Sequence, residues 1–426
     1  MDHGGQAKRG TRATRPDDGD SAANQGASFA RGWRGAVRIA CAVGCLALAG
    51  CEALSFHREA PPPGRTTLGA PLVVLPAETV GNFIIIEAKW DRFGPYHFVI
   101  DTGSASTLVT PTLVRRYGNG DTGGMPHRVR VASAAGEIME LPAASLRRIE
   151  LGEAKFEDVP VLVYDLAQLS AHLGVRIDGL LGFPLFRKTQ LTLDYPHHRV
   201  LLQPANTTAL APGTTLPFDD ATKTPIVPLQ IGPRRVLALI DSGSDATLSI
   251  NPIGLDPNFA YGPRPGATVG TLAGDHPQQI GRLAESVELA DYVIDRPVVD
   301  LTDELTAIGG GVLRYFTVTF DPAHDQVTLL RDTHAPLEMG PRRSAGVSFS
   351  KTPAYWRVAG VIPRSPADVA GVEFGDLVTR IDGEPVAKWD LARYEHVIAT
   401  AQEVTFTLLF GTNEVEKRVR VFDLVP

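Results

Sequence analysis

The feature of this sequence that most constrains its fold is a short motif that occurs twice. An apolar run leads into Asp101-Thr102-Gly103-Ser104, and a second apolar run leads into Asp241-Ser242-Gly243-Ser244. An aspartate that closes an apolar strand at a glycine turn is unusual, because a buried carboxylate is costly unless the protein uses it. Either motif alone could be an ordinary turn capped by its aspartate. The recurrence of the whole pattern indicates a duplicated unit with a function at the two aspartates.

The sequence that follows each motif repeats as well. A hairpin rich in small residues comes first, around Gly136 in one copy and Gly274 in the other. An apolar segment with a corner glycine comes next, Leu180-Leu181-Gly182 and Ala307-Ile308-Gly309, and a closing hairpin ends each copy. Landmarks that keep their order and spacing predict an internal repeat. The predicted units are lobe 1, residues 76–205, and lobe 2, residues 216–335.

Short β-branched runs separated by turn signals dominate both copies, and this pattern is typical of a sandwich or barrel. We expect a mainly β fold in which the two lobes are related by a pseudo-twofold axis. No helical periodicity of comparable strength appears in lobe 1. Such an axis would bring both aspartate turns together at the junction of the lobes.

Two carboxyl groups in near contact cannot both ionise, so Asp101 and Asp241 are predicted to share one proton. One carboxylate then takes a proton from a bound water while the other donates to a peptide carbonyl oxygen. Tight turns at the two glycines let the loops meet. The residues predicted to support the pair are Thr102 and Ser242, bonding across the axis, Gly103 and Gly243, shaping the turns, and Ser104 and Ser244, bonding the carboxylates.

These motifs resemble those of the aspartic peptidases, and the retropepsin-like bacterial group more than the pepsin group. The resemblance covers residues 76–335 and implies retropepsin-like β-barrel lobes that act without a dimer, as a monomeric active unit. It also implies a flap over the cleft in each lobe, with tips at Ala135 and Gly136, and at Ala273 and Gly274. The sequence departs from the family at Ala307, where a bulkier apolar residue is commoner, and in flap tips without aromatic residues.

The pattern changes after a polar linker at residues 332–343. Ser365-Pro366-Ala367 begins a short helix with serine at the N-cap and proline at the first position. Together with Gly375-Asp376-Leu377-Val378 and Ile381-Asp382-Gly383, this segment resembles part of an α+β PDZ domain, and the resemblance covers residues 342–424.

The PDZ family binds peptide C-termini by strand addition. The resemblance places the carboxylate loop at Gly346, Val347, Ser348 and Phe349, and the groove helix at Tyr394, Val397 and Ile398. The alternative is that these helix residues only pack the core.

The N-terminus, residues 1–50, is predicted to be a disordered tail followed by an export signal. Arg31, Arg34 and Arg38 precede an apolar run of about a dozen residues, too short to span a bilayer. The run ends in Leu48-Ala49-Gly50-Cys51, which resembles a bacterial lipobox and implies lipidation of Cys51. A generic signal peptide with an incidental cysteine is the alternative. Residues 51–75 read as a linker.

Composition excludes several classes of function. The formal net charge of −7 argues against a nucleic-acid partner. The three cysteines, Cys41, Cys45 and Cys51, all precede the globular part, which therefore has no thiol for a disulfide, a nucleophile or a metal site. The histidines show no metal-binding spacing, and we expect neither cofactor nor metal.

The sequence therefore predicts an aspartic endopeptidase, lipid-anchored on the periplasmic face of a bacterial cell envelope. Its expected partners are protein or peptide substrates, with peptide C-termini at the PDZ domain. A non-catalytic peptide-binding envelope lipoprotein that keeps the protease fold is the competing hypothesis.

Overall fold

The computed structural model describes residues 64–90, 93–119, 127–132, 138–207, 211–271 and 274–426. The described residues are mainly β, as the sequence predicts. In this part of the chain no helix has both the length and the apolar character needed to cross a membrane.

Lobe 1 contains eleven strands and two short helices among its described residues. The strands are β1 (Arg65–Leu68), β2 (Val73–Val80), β3 (Phe83–Trp90), β4 (Phe93–Asp101), β5 (Thr107–Val109), β6 (Arg128–Ala132), β7 (Ile138–Leu151), β8 (Ala154–Val163), β9 (Gly179–Gly182), β10 (Thr189–Asp194) and β11 (Arg199–Pro204). The helices are α1 (Pro111–Tyr117) and α2 (Ala167–Leu173).

Lobe 2 repeats this arrangement with one short helix, α3 (Gly310–Leu313). Its strands are β12 (Thr214–Pro217), β13 (Ile226–Ile231), β14 (Arg234–Asp241), β15 (Leu248–Ile250), β16 (Phe259–Thr271), β17 (Gly274–Leu283), β18 (Val287–Leu289), β19 (Tyr292–Asp295), β20 (Val298–Leu301), β21 (Ala307–Gly309), β22 (Thr317–Asp321), β23 (Gln326–Leu330) and β24 (Leu337–Glu338).

The C-terminal domain consists of two sheets and two helices, α4 (Pro366–Val369) and α5 (Leu391–Thr400). Its strands are β25 (Arg342–Ser344), β26 (Val347–Lys351), β27 (Trp356–Val361), β28 (Leu377–Ile381), β29 (Glu384–Pro385), β30 (Glu403–Phe410), β31 (Asn413–Arg420) and β32 (Phe422–Val425). As expected, Ser365 caps α4, because its hydroxyl accepts from the amide of Asp368 at 3.3 Å.

The same three-strand arrangement surrounds both aspartates. In lobe 1, β4 runs parallel to β9 with Asp101 opposite Gly182, and β9 pairs antiparallel with β5. In lobe 2, β14 runs parallel to β21 with Asp241 opposite Gly309, and β21 pairs antiparallel with β15. The strands leading to the aspartates are apolar and buried at their ends, so each carboxyl group emerges from the core of its lobe.

The two lobes share a sheet and a core. Strand β10 pairs antiparallel with β22, so that Leu191 faces Phe320 and Leu193 faces Val318. Between these pairs the hydroxyls of Thr192 and Thr319 hydrogen-bond at 2.9 Å. One cluster of buried apolar side chains contains residues of both lobes. The reciprocal register gives this sheet a local twofold centred on the threonine pair.

Three segments differ from the sequence prediction. The linker at residues 51–75 already contains β1, whose threonines pair with the edge of β8. The linker at residues 332–343 contains β24, which pairs with β19, and the first residues of β25. Lobe 1 contains α1 and α2, which were not predicted because seven residues each are too few to give a clear helical period.

Candidate active site

The turns that follow β4 and β14 place each glycine directly against the opposite aspartate. A Cβ built on Gly103 would lie 2.4 Å from Cγ of Asp241, and a Cβ built on Gly243 would lie 2.4 Å from Cγ of Asp101. No side chain fits at such a distance. Glycine is therefore required in both turns for the carboxyl groups to meet, as the sequence predicts.

Thr102 and Ser242 lock the two turns together through four reciprocal hydrogen bonds. The amide of Thr102 donates to Oγ of Ser242 at 3.0 Å, and the amide of Ser242 donates to Oγ1 of Thr102 at 3.0 Å. Each hydroxyl then donates to the far lobe at 2.7 Å, Thr102 to the carbonyl of Ile240 and Ser242 to the carbonyl of Ile100. Both side chains are fully buried. The network has the twofold symmetry expected of a duplicated site.

The carboxyl groups of Asp101 and Asp241 share a hydrogen bond and shift each other's titration. Burial raises the pKa of Asp101 well above its usual range, and the nearby charge of Asp241 raises it further, while amides of Gly103 and Ser104 oppose this. Burial also raises the pKa of Asp241, which accepts from the amide of Gly243 at 2.8 Å. The pair therefore holds a proton at a pH where isolated aspartates are ionised.

The hydroxyls of the two serines do not reach the carboxylates, so that prediction is wrong. Oγ of Ser104 donates to the carbonyl of Ser106 at 2.8 Å, and Oγ of Ser244 accepts from the amide of Ala246 at 3.3 Å. Serine side chains commonly bond the backbone two residues ahead in such turns. Ser104 does contribute to the pair, but through its amide.

Asn82 is a site residue that sequence reasoning missed. Its Nδ2 donates to the carbonyl of Asp245 at 2.7 Å, which ties the β2–β3 hairpin of lobe 1 to the loop after Asp241. Oδ1 of Asn82 accepts from Arg314 at 3.4 Å. In the sequence Gly81-Asn82 has only the signal of a tight turn, so nothing local indicates a contact across the lobes.

Tyr195 is a second missed residue. It is 3% exposed, and its hydroxyl has no hydrogen-bond partner among the described residues. Burial raises the pKa of Tyr195, and the charge of Asp241 adds to the effect. This places an unpaired hydroxyl within the electrostatic reach of the dyad, on the segment that follows the inter-lobe strand β10.

Several predicted site residues lie outside the described residues. These are the lipidation residue Cys51 and the flap residues Ala135, Gly136 and Ala273. Gly274 is the first residue of β17, which pairs with β16 to form the hairpin of lobe 2. Among the residues that the structure describes, no group of three or more His, Cys, Asp or Glu side chains is placed to hold a metal ion.

The predicted carboxylate loop of the C-terminal domain lies at the start of the edge strand β26. The amide of Gly346 donates to Oγ of Ser344 at 2.8 Å, and Val347 is 7% exposed. Phe349 is buried and makes an edge-to-face contact with Tyr394 on α5. Ser348 is partly exposed, but its Oγ atom is buried without a partner in the described structure.

Comparison with known proteins finds one family match in lobe 1 and one in the C-terminal domain. The family model for aspartyl proteases matches residues 87–185, which include Asp101 and the Leu180–Gly182 segment. The model for PDZ domains matches residues 357–410. The chain therefore carries an aspartyl protease domain followed by a PDZ domain.

More distant comparisons add little. A PDZ domain protein from Parabacteroides distasonis is 17% identical, with a TM-score of 0.18 over 20% of this chain and 21% of that one, which supports no argument. No curated protein matches.

Proposed function

We propose that the chain is an aspartic endopeptidase that hydrolyses peptide bonds of envelope proteins with a water molecule held between Asp101 and Asp241. The observation that supports this most directly is the reciprocal geometry of the two turns. Each lobe supplies one carboxyl group, and each carboxyl group packs against the glycine of the other lobe. A single lobe could not build this site.

The two carboxyl groups take different roles in the proposed mechanism. One of the two carboxyl groups holds the shared proton, because burial raises the pKa of both, and it donates this proton to the carbonyl oxygen of the scissile bond. The ionised partner takes a proton from the attacking water. The amides of Gly103 and Gly243 hold the carboxylate planes in place while the proton moves.

The experiment that tests this proposal is turnover of a peptide library by the purified chain and its variants. We expect Asp101→Asn and Asp241→Asn each to lower kcat/KM by a factor of at least ~10². Asp303→Asn, at an exposed position of lobe 2, is the matched control and should cleave like the wild type. Cleavage should also be inhibited by pepstatin-type mimics of the tetrahedral transition state.

Activity that survives in either dyad variant would overturn the assignment. Binding of library peptides without any turnover would favour the non-catalytic lipoprotein instead.

We further propose that the PDZ domain binds the C-termini of protein partners. The match to PDZ domains and the position of β26 as an edge strand support this, because a peptide adds to such an edge by backbone hydrogen bonds. A panel of peptides with free and amidated C-termini provides the test, and only the free carboxylates should bind. Equal binding of both forms would contradict it.

We also propose that Cys51 carries the lipid that anchors the protein to the periplasmic side of a bacterial envelope. The support is the sequence Leu48-Ala49-Gly50-Cys51 after an apolar run. Labelled palmitate should be incorporated by the wild type in a bacterial host and not by Cys51→Ala. Equal labelling of the two proteins would refute the anchor.

A further inference from the structure

Helix α2 of lobe 1 packs beside β26, the outermost strand of the main PDZ sheet. On this strand Val347, Phe349 and Lys351 point inward and Ser348 and Ser350 point outward. The helix meets side chains of both faces.

Gln168 and His172 share a cavity of about 160 Å³ with Ser348 and Ser350. Lys351 reaches the end of the helix from the inner face. A helix that touches both faces of an edge strand lies along its free edge.

Lys351 fixes this contact at the last turn of α2. Its side chain is 8% exposed, and Nζ donates to the carbonyl of His172. The carbonyls at the end of a helix lack partners within the helix and carry its negative dipole, so an ammonium group is stabilised there. Gly174, which ends the helix with a φ of 77°, lies against the stem of Lys351.

The opposite wall of the PDZ groove is also held by lobe 1. Leu391, the first residue of α5, packs with the apolar cluster that contains Phe83 and Val99. A Cβ built on Gly81 would lie 3.5 Å from Cδ2 of Leu391. The next residue is Asn82, which bonds the loop that follows Asp241. Both walls of the groove are therefore anchored to the protease lobes.

We propose that α2 occupies the PDZ edge to which a peptide C-terminus would add as a strand, so that peptide binding and docking of the PDZ domain on lobe 1 exclude each other. An added strand lies only about 4.8 Å from its neighbour, which leaves no room for a helix on the same edge. In the docked state α2 therefore competes with the peptide for the free edge of β26. The predicted consequence for cleavage rests on the proposed protease function, whereas the competition for the edge does not.

A displacement of α2 would affect the dyad because few residues separate the two. The chain runs from α2 through Gly174 to β9, whose Gly182 lies opposite Asp101. Strand β16 of the lobe 2 hairpin also packs on α2, β26 and β27, so the docked PDZ domain restrains one flap strand. Since a flap must open to admit a substrate, we expect peptide binding at the PDZ domain to stimulate cleavage.

A reversible disulfide lock tests the competition in the full-length protein that carries Cys41→Ser, Cys45→Ser and Cys51→Ser, so that the introduced cysteines are its only thiols. A Cβ on Gly174 would lie 3.7 Å from Cβ of Lys351, which is the separation that a disulfide needs. We expect the double variant G174C/K351C, once oxidised, to bind a fluorescent pool of C-terminal decapeptides at least tenfold more weakly than after reduction. The same molecule serves as its own folding control.

The variant G174C alone, treated identically, controls for strain at the positive φ and should respond to neither oxidant nor reductant. Equal peptide affinity of the oxidised and reduced double variant would overturn the proposal.

A second variant removes the clamp without a disulfide. Lys351→Met loses the bond to His172 but keeps an apolar stem, so docking weakens and the peptide pool should bind at least tenfold more tightly than to the wild type. Lys388→Met, at an exposed lysine of the same domain, should bind like the wild type. Affinity that is unchanged or absent in Lys351→Met contradicts the proposal.

Peptide turnover by these proteins is measured separately. A protein that binds as expected but cleaves nothing would refute only the proposed protease function. Stimulation of cleavage by the peptide should disappear in the oxidised lock and return on reduction.

Discussion

The hydroxyl of Thr102 is a residue-scale contact on which both lobes depend. It accepts from the amide of Ser242 and donates to the carbonyl of Ile240, and all of these groups are buried. Thr102→Val keeps the shape but leaves two buried backbone groups without a partner, each at a cost of ~1–3 kcal/mol. We expect the free energy of unfolding in urea to fall by ~2 kcal/mol or more.

Thr102→Ser retains the hydroxyl and is the matched control for this measurement. It should keep most of the stability of the wild type. Similar losses in the valine and serine variants would mean that the methyl group, rather than the network, matters.

A buried carboxyl outside the dyad gives the protein a pH-dependent stability. Burial raises the pKa of Asp300 to about 7, and its Oδ1 has no hydrogen-bond partner among the described residues. In the unfolded chain an aspartate has a pKa of about 3.9. Between these values the folded protein binds the proton more strongly, so the free energy of unfolding should fall as the pH rises from about 4 to about 7.

Asp300→Asn should flatten this part of the profile, measured by urea unfolding at several pH values. Asp303→Asn, at an exposed position just after the end of β20, should leave the slope unchanged. The dyad contributes a slope of the same sign, because burial also raises the pKa of its carboxyl groups. A slope that Asp300→Asn does not reduce would contradict the assignment.

At the scale of elements, the β2–β3 hairpin positions the second catalytic loop. Asn82 donates to the carbonyl of Asp245, four residues after Asp241. Asn82→Ala should lower kcat more than it raises KM. The carbonyl of Asp245 loses its hydrogen-bond donor, whereas the residues that contact substrate are unchanged. We expect a loss of about tenfold in kcat, which corresponds to ~1.4 kcal/mol.

Asn119→Ala provides the matched control, since Asn119 is exposed in lobe 1 and bonds only within that lobe. It should cleave like the wild type. An Asn82→Ala protein with unchanged kcat would show that the hairpin does not hold the loop.

The elements that carry strong local signals could be predicted from the sequence. The strands into Asp101 and Asp241 are continuous apolar runs that end at a required glycine, and α4 has a serine N-cap with proline behind it. Each signal arises from the chemistry of neighbouring residues, so tertiary packing need not be known.

The rest of the site depends on contacts between distant segments. The bond of Asn82 joins residues 163 positions apart, and β1 and β24 are strands only because an exposed edge is available to pair with them. The seven residues of α2 are too few for a helical period, yet this helix packs on the PDZ edge strand. Such features follow from the assembled fold.

At the scale of the whole molecule, the lobes and the PDZ domain are held by different means. The lobes share one apolar core, whereas the PDZ domain has a core of its own. A smaller apolar cluster joins lobe 2 to the PDZ domain. It contains Ile280 and Val298 of lobe 2 and Ile362 and Leu424 of the PDZ domain. The lobes should therefore unfold together, and the coupling of the PDZ domain to them should depend on few groups.

Arg282 is the main polar group at this junction. Nε donates to the carbonyl of Pro426 at 2.5 Å and Nη2 to that of Gly340 at 2.8 Å, while Nη1 bonds the carbonyls of Arg296 and Met339 at 2.8 and 3.1 Å. One guanidinium thus joins β17, the linker and the end of the PDZ domain. A planar fork with five donors suits this geometry, which neither lysine nor an apolar residue can reproduce.

Arg282→Met should therefore uncouple the PDZ domain from the lobes. Hydrogen bonds from a charged donor contribute ~1.5–3 kcal/mol each, so their loss is large against the small apolar cluster that remains at the junction. Calorimetry should show the single transition of the wild type divide into two, with the PDZ domain unfolding at the lower temperature. Arg235→Met, at an exposed position on β14, should keep one transition. A single transition at an unchanged midpoint in Arg282→Met would place the coupling in the contacts with lobe 1 instead, where α2 packs on β26 and Lys351 bonds the carbonyl of His172.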